Sequence, residues 1–295
     1  VCKTAINHYG MEVYGIHSGF RGLLDNYIVP LDESSLTGLL NLGGTILGTS
    51  REKPFKRKAG AVSENKPAIM LQTIRERGLD CIVCIGGNGT QKTAAKLAEA
   101  GVNVVSIPKT IDNDLFGTDH CPGFGSAAKY IATSCMEINK DARVYNNSMI
   151  TIVEIMGRHA GWLAASAALA SHFGSGPDLV YLPECDFDMD KFLADIDKVY
   201  KANGKVFVAV SEGIHYADGS FVSEAKTSAS DGFGHAQLGG LAALLASIVK
   251  EHFPGVKVRG IELSLLQRCG AHLASKVDID EAFGAGEEAG QQGGF

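Results

Sequence analysis

The chain has 295 residues, 45% of them hydrophobic and 20% charged, and carries a formal net charge of −6. That length suffices for one large or two ordinary domains with buried cores. No basic stripe offers itself to nucleic acid, the net-negative charge argues against anionic membranes, and no apolar stretch is long enough for a transmembrane span or signal peptide.

In chain order, seven apolar, β-branched runs read as strands covered on both faces: Met11–Ile16, Asp80–Ile85, Asn103–Ile107, Ser148–Ile155, Asp178–Pro183, Lys205–Val210 and Lys257–Leu263. Helical patterns such as Thr90–Gly101 and Gln237–Phe253 fall between them. The alternation predicts an open α/β architecture, with two sheets at this length. Val1 lies already inside a helix leading to a strand, and the Gly/Gln-rich tail Gly284–Phe295 offers little to pack, so residues are expected to be missing at both termini. The seven cysteines lack small-scaffold spacing, and reduced, cytoplasmic thiols are expected. Cys81 and Cys84 form C-x-x-C inside a strand, which predicts buried structural thiols instead of a redox turn.

Five strands run into polar segments: GGNGT after Asp80–Ile85, PKTIDND after Asn103–Ile107, MGRHAGW after Ser148–Ile155, SEGI after Lys205–Val210 and LLQR after Lys257–Leu263. Ligands of open α/β sheets bind beyond the carboxyl ends of strands. Gly86, Gly87 and Gly89 would let backbone N–H groups approach an anion at a helix N-terminus, although a tight βα turn has the same composition. Asn88 offers a neutral oxygen where a Mg²⁺-phosphate site favours Asp. Asp112 and Asp114 alternate, so an extended segment puts them on one side, one as a base and the other holding a sugar hydroxyl or a metal; the bland alternative is an Asx-rich turn. Arg158 and Arg268 supply guanidinium forks and Glu212 an acceptor, the mixture a sugar phosphate needs, though each alone could be a surface ion pair. His159 and Trp162 read as packing residues, and the other histidines, His235 among them, lack zinc-ligand spacing.

Together with GGTILGTSR (Gly43–Arg51), these motifs in this order resemble the 6-phosphofructokinases, from Val1 to about Asp280. The resemblance implies two doubly wound, Rossmann-like, three-layer α/β domains with the active site in the cleft between them. Residues 1–123 plus 267–295 would form the larger, donor-binding domain, and residues 124–266 the smaller, fructose 6-phosphate-binding one. The implied reaction is Mg²⁺-dependent phosphoryl transfer to the 1-hydroxyl of fructose 6-phosphate in glycolysis, giving fructose 1,6-bisphosphate. Asp112 matches the catalytic base, with Lys109 beside it. Thr110, Ile111 and Asp114 match its substrate-contacting neighbours. Met156, Gly157, Arg158, Glu212 and Arg268 match sugar-phosphate contacts, and Arg259 matches one contributed by a neighbouring subunit of a homodimer or homotetramer. Arg51, Gly86, Gly87, Gly89 and Thr90 match donor-phosphate contacts, with Asn88 at the metal.

The sequence also departs from the family. The first strand and its GGxAPG-like turn would precede Val1, and the closing elements after LLQR are largely absent. Met149 and Leu265 stand where the allosteric ATP-dependent branch has Arg and His. Lys109 resembles the lysine of pyrophosphate-dependent members, whereas Gly89 leaves room for ATP. Pyrophosphate is the expected donor, with ATP the alternative. NAD and lipid kinases share a GG-D-G-T turn, and a non-catalytic regulatory subunit is a further alternative.

Overall fold

The structure, a computed structural model, describes residues 1–39, 42–55, 65–223 and 240–293. His235 and the expected helix start at Gln237 lie outside them. In chain order the principal elements are α1 (Cys2–Tyr9), β1 (Val13–Ile16), α2 (Phe20–Leu24), β2 (Ile28–Leu31), α3 (Lys66–Glu76), β3 (Ile82–Gly86), α4 (Asn88–Glu99), β4 (Val104–Pro108) and α5 (Phe124–Val144). They continue with β5 (Met149–Ile155), α6 (Trp162–Ser166), β6 (Leu179–Tyr181), α7 (Met189–Asn203), β7 (Lys205–Ser211), α8 (Leu241–His252), β8 (Lys257–Glu262), α9 (Leu266–Cys269) and α10 (Lys276–Gln292). Two compact units result: Val1–Thr110, Leu115–Pro122 and Lys276–Phe295 form the first, Ile111–Asp114 and Gly123–Ser275 the second.

In the first unit β3 and β4 pair in parallel, while β1 pairs β2 antiparallel in a separate ribbon. Strand β2 was not expected from the sequence, because Pro30 interrupts it; a proline that cannot donate to a ladder is tolerated in such an edge position. Leu23, Met70, Ile74, Ile82, Cys84, Ala94 and Leu97 form the core. Burial pushes the Cys84 thiol up to about 11, as suits an inert structural cysteine. The tail, expected to pack little, is helical from Gly284 to Gln292 as the end of α10. Its glycines are the reason: a Cβ on Gly286 would lie 2.8 Å from the Val1 nitrogen, and one on Gly290 3.2 Å from Thr4 Cβ. The missing side chains let α10 approach α1 closely.

The second unit is a parallel sheet in the order β6-β7-β5-β8 with helices on both faces. The period of two along its central strands divides the core. Ile150, Ile152, Val206, Val208 and Val210 pack with Phe192 and Ile196 of α7 and Leu245 and Val249 of α8. Val153, Ile155, Phe207 and Ala209 face the other way, onto Ile131 and Cys135 of α5 and Leu163 of α6. Strands buried on both faces need continuous apolar runs, and these have them. Residues 267–275 fall in this unit, past the boundary expected at 267. There the Ser275 N–H donates to Ser126 Oγ at 3.0 Å and Lys129 Nζ to Ala274 O at 3.0 Å. Among the described residues no helix is long and apolar enough to cross a membrane.

Candidate active site

In the second unit, polar groups gather beyond the carboxyl ends of β5 and β7. Glu212 N–H donates to Ile155 O at 2.8 Å, and the Glu212 carboxylate accepts from Gly157 N–H at 3.3 Å. Ser211 Oγ donates to Gly157 O at 2.6 Å and accepts from Gly213 N–H at 3.2 Å. Gly157 takes φ 128°, where a side chain would be strained, and a Cβ there would sit 2.5 Å from Ala160 O. A Cβ on Gly213 would lie 2.1 Å from Arg158 O, so two glycines allow the Met156–Arg158 turn and the Ser211–Gly213 turn to interlock.

Glu212 is pushed above the ordinary carboxylate range, chiefly by burial. The Gly157 N–H and the guanidinium groups of Arg158 and Arg268 oppose that shift, which brings both arginines into the field of one carboxylate. Arg158 Nε is buried and has no hydrogen-bond partner among the described residues. Arg268 comes from the short helix α9 and is exposed. Arg259 is not in this group: it lies mid-strand in β8, opposite Thr151, and pairs with Asp141 at 3.6 Å. Ile111 packs against the α5-side core of this unit, Asp112 is half-buried, and Asp114 is exposed.

In the first unit, Gly86 ends β3 and Gly87 precedes α4. A Cβ on Gly86 would meet Thr90 Oγ1 at 2.4 Å, so glycine allows the first turn of α4 to sit on the strand end. Lys109 N–H donates to Gly86 O at 3.0 Å. A Cβ on Gly87 would lie 3.7 Å from Lys109 O and 3.8 Å from Thr110 Cβ, which sets the Gly-rich turn against the start of the PKTIDND segment. Asn88, Gly89 and Lys109 are exposed, and a Cβ on Gly89 would meet nothing within 4 Å. Arg51 is exposed in the irregular segment of residues 42–55. Backbone N–H groups at the start of α4 can hold an anion.

The family model described as Phosphofructokinase matches residues 1–285. The chain belongs to the phosphofructokinase family. It is 52% identical over 216 residues, 72% of its own length, to the ATP-dependent 6-phosphofructokinase 3 of Bacteroides thetaiotaomicron. It is 35% identical over 98% of its length to the pyrophosphate–fructose 6-phosphate 1-phosphotransferase of Halomonas elongata. The crystal structure of a pyrophosphate-dependent phosphofructokinase from Nitrosospira multiformis superposes with a TM-score of 0.83 at 30% identity, covering 99% of this chain and 70% of that one. The matches span 62% of the Bacteroides protein and 70% of the Halomonas protein. The phosphofructokinase fold, α/β with parallel sheets and Rossmann-like units, is therefore as the sequence motifs implied.

Within this phosphofructokinase-family chain the structure adds residues that sequence reasoning missed. Gln267 is buried and its Oε1 accepts from Met156 N–H at 3.1 Å, holding the turn that presents Arg158. Its only signal was adjacency to Arg268. Ser211 braces the same turn, and Gln91 and Ser106 join the ends of β3 and β4. Among the described residues no group of three or more His, Cys, Asp or Glu side chains could hold a metal ion. Mg²⁺ is bound through one or two carboxylates when substrate phosphates supply the rest, and the exposed Asn88 at the start of α4 offers a neutral amide oxygen instead.

Proposed function

We propose that this chain transfers a phosphoryl group from pyrophosphate to the 1-hydroxyl of fructose 6-phosphate, yielding fructose 1,6-bisphosphate and phosphate in glycolysis, in the cytoplasm. The observation that carries the assignment is the convergence of Gly157 N–H, Arg158 and Arg268 on the Glu212 carboxylate, in a chain whose family match runs from residue 1 to 285. An acid that accepts from sugar hydroxyls, flanked by two guanidinium forks that bind phosphate, suits a sugar phosphate.

The acceptor's ligands are Met156, Gly157, Arg158, Glu212 and Arg268 of the second unit, with Thr110 of the first unit and Ile111 and Asp114 of the second at the reacting end. Asp112 accepts the proton of the 1-hydroxyl as that oxygen attacks the terminal phosphorus and the P–O bond to the leaving phosphate breaks. The first unit holds the donor through Arg51, Gly86, Gly87, Gly89 and Thr90. Lys109 neutralises the leaving phosphate, which has no nucleotide attached. Asn88 would hold Mg²⁺, which would offset the charge of the phosphates when bound. Arg259 serves a neighbouring subunit of a homodimer or homotetramer.

A second reading, ATP as donor, is favoured by the open space at Gly89 and by the name of the Bacteroides relative. Initial rates of fructose 1,6-bisphosphate formation with Mg²⁺ and either donor decide between the two. Absence of product with both, together with retained fructose 6-phosphate binding, would establish the regulatory-subunit alternative instead.

A further inference from the structure

Gln91 lies in the first turn of α4 and ties the ends of two strands together. Its side-chain NH₂ donates to Gly86 O at 2.9 Å and to Ile107 O at 3.1 Å. Its Oε1 accepts from the Ser106 hydroxyl at 2.5 Å. Both amide hydrogens are used, and the two carbonyl oxygens, which can only accept, identify the terminal atom facing them as nitrogen. The same Gly86 carbonyl accepts the Lys109 N–H at 3.0 Å. One carbonyl oxygen, at the last residue of β3, therefore receives both the Gln91 amide and the backbone of Lys109.

These contacts join the two donor-side segments. Gly86 leads directly into Gly87–Thr90, and Ile107 stands two residues before Lys109. Gln91 belongs to α4, whose N-terminus would face the donor's phosphates, and its bonds fix the start of that helix against both strand ends at once. Among the described residues, the β3–β4 pairing runs over five residue pairs, from Ile82 and Val104 to Gly86 and Pro108, and Gln91 adds side-chain bonds at its end.

We propose that Gln91, oriented by Ser106, is a positioning residue that sets the spacing between the Gly87–Thr90 turn and Lys109, and so governs productive binding of the phosphoryl donor. The proposal rests on the function argued above. It makes an unusual demand on the side chain, since a carboxylate cannot take its place. In Gln91→Glu one oxygen could still accept from Ser106, but the other would face two carbonyl oxygens with no hydrogen to offer. Protonation would restore one donor.

The test uses the full chain as wild type, Gln91→Met, Gln91→Glu and Ser106→Ala. Kinetics with the better donor are combined with melting temperatures and amide hydrogen exchange of the peptide containing Lys109. Gln91→Met, which keeps volume without donors, should raise the donor KM about tenfold, the effect of losing one or two ordinary hydrogen bonds, and leave the fructose 6-phosphate KM within about twofold. Ser106→Ala should do the same more weakly. The activity of Gln91→Glu relative to wild type should fall as pH rises through the carboxyl's titration, and exchange at the Lys109 amide should quicken in Gln91→Met. An unchanged donor KM in a folded Gln91→Met, or a flat pH ratio for Gln91→Glu, overturns the proposal and leaves Gln91 a scaffold residue. If wild type forms no product with either donor, the functional assignment falls by itself; unchanged Lys109 exchange in Gln91→Met would then overturn the positioning role as well.

Discussion

Glu154 and Glu262 stand opposite each other on the parallel strands β5 and β8, yet only Glu154 is buried. Its Oε2 accepts from the Ala242 N–H at 2.8 Å, at the start of α8. Burial above all, and then the charges of Glu262 and Glu212, push the Glu154 carboxyl up to about 7, against the pull of the α8 N–H groups. The folded chain therefore keeps a proton that the unfolded chain releases near 4.5. The stability linked to Glu154 is fully present below about 4.5 and is lost as pH rises to about 7. Glu154→Gln keeps an oxygen for Ala242 and removes the titration. Its melting temperature should decline less than that of wild type across this window, and parallel declines would exclude Glu154 as the source.

Asp112→Asn preserves shape but cannot take a proton. Turnover should fall roughly 10²–10⁴-fold with little change in fructose 6-phosphate affinity. Steady-state kinetics check this, and near-normal turnover would remove Asp112 from the role of base.

Gly213→Ala should disturb the arginine turn without touching the donor side. Its Cβ would lie 2.1 Å from Arg158 O and 2.7 Å from Gly157 O, both backbone atoms that no rotamer change can clear. Fructose 6-phosphate binding, measured by calorimetry, should weaken by at least about tenfold, with donor binding in the first unit retained. Equal weakening of both ligands would point to global damage.

Arg158→Lys and Arg268→Lys each lose a bidentate fork while keeping the charge. The fructose 6-phosphate KM should rise by about tenfold or more in each case, on the scale of a charge-assisted hydrogen bond, with the donor KM little affected. The reverse pattern would assign the arginines to the donor.

Lys109→Gly tests the donor itself. Pyrophosphate-driven turnover should fall by roughly 10²–10³-fold, the scale of one electrostatic donor to developing charge. ATP-driven turnover should fall less, because Gly89 leaves the adjacent turn open. Equal losses with both donors would make Lys109 a general phosphate contact.

The sequence by itself determined seven of the eight strands among the described residues and the polar and glycine residues that follow them. A run such as Met149–Ile155, buried at every position, is apolar apart from Thr151 and Glu154 because both of its faces meet helices, and that requirement is written in adjacent residues. The motif residues of MGR, SEG and PKTID were legible for a similar reason, since charged and glycine residues directly after an apolar run are locally conspicuous. Only the tertiary structure decided which of them share one environment: it gathers Arg158, Glu212 and Arg268 and sets Arg259 apart with Asp141. It alone exposed the supports. Gln267 reaches Met156 across 111 positions of sequence, and Gln91 reaches Ile107 across 16. A glutamine within a helical pattern is chemically ordinary until folding brings an unpaired backbone group to its amide. The glycine-rich tail misled for the same reason, because a glycine face has no apolar signal of its own and becomes a packing surface only when another helix lies against it.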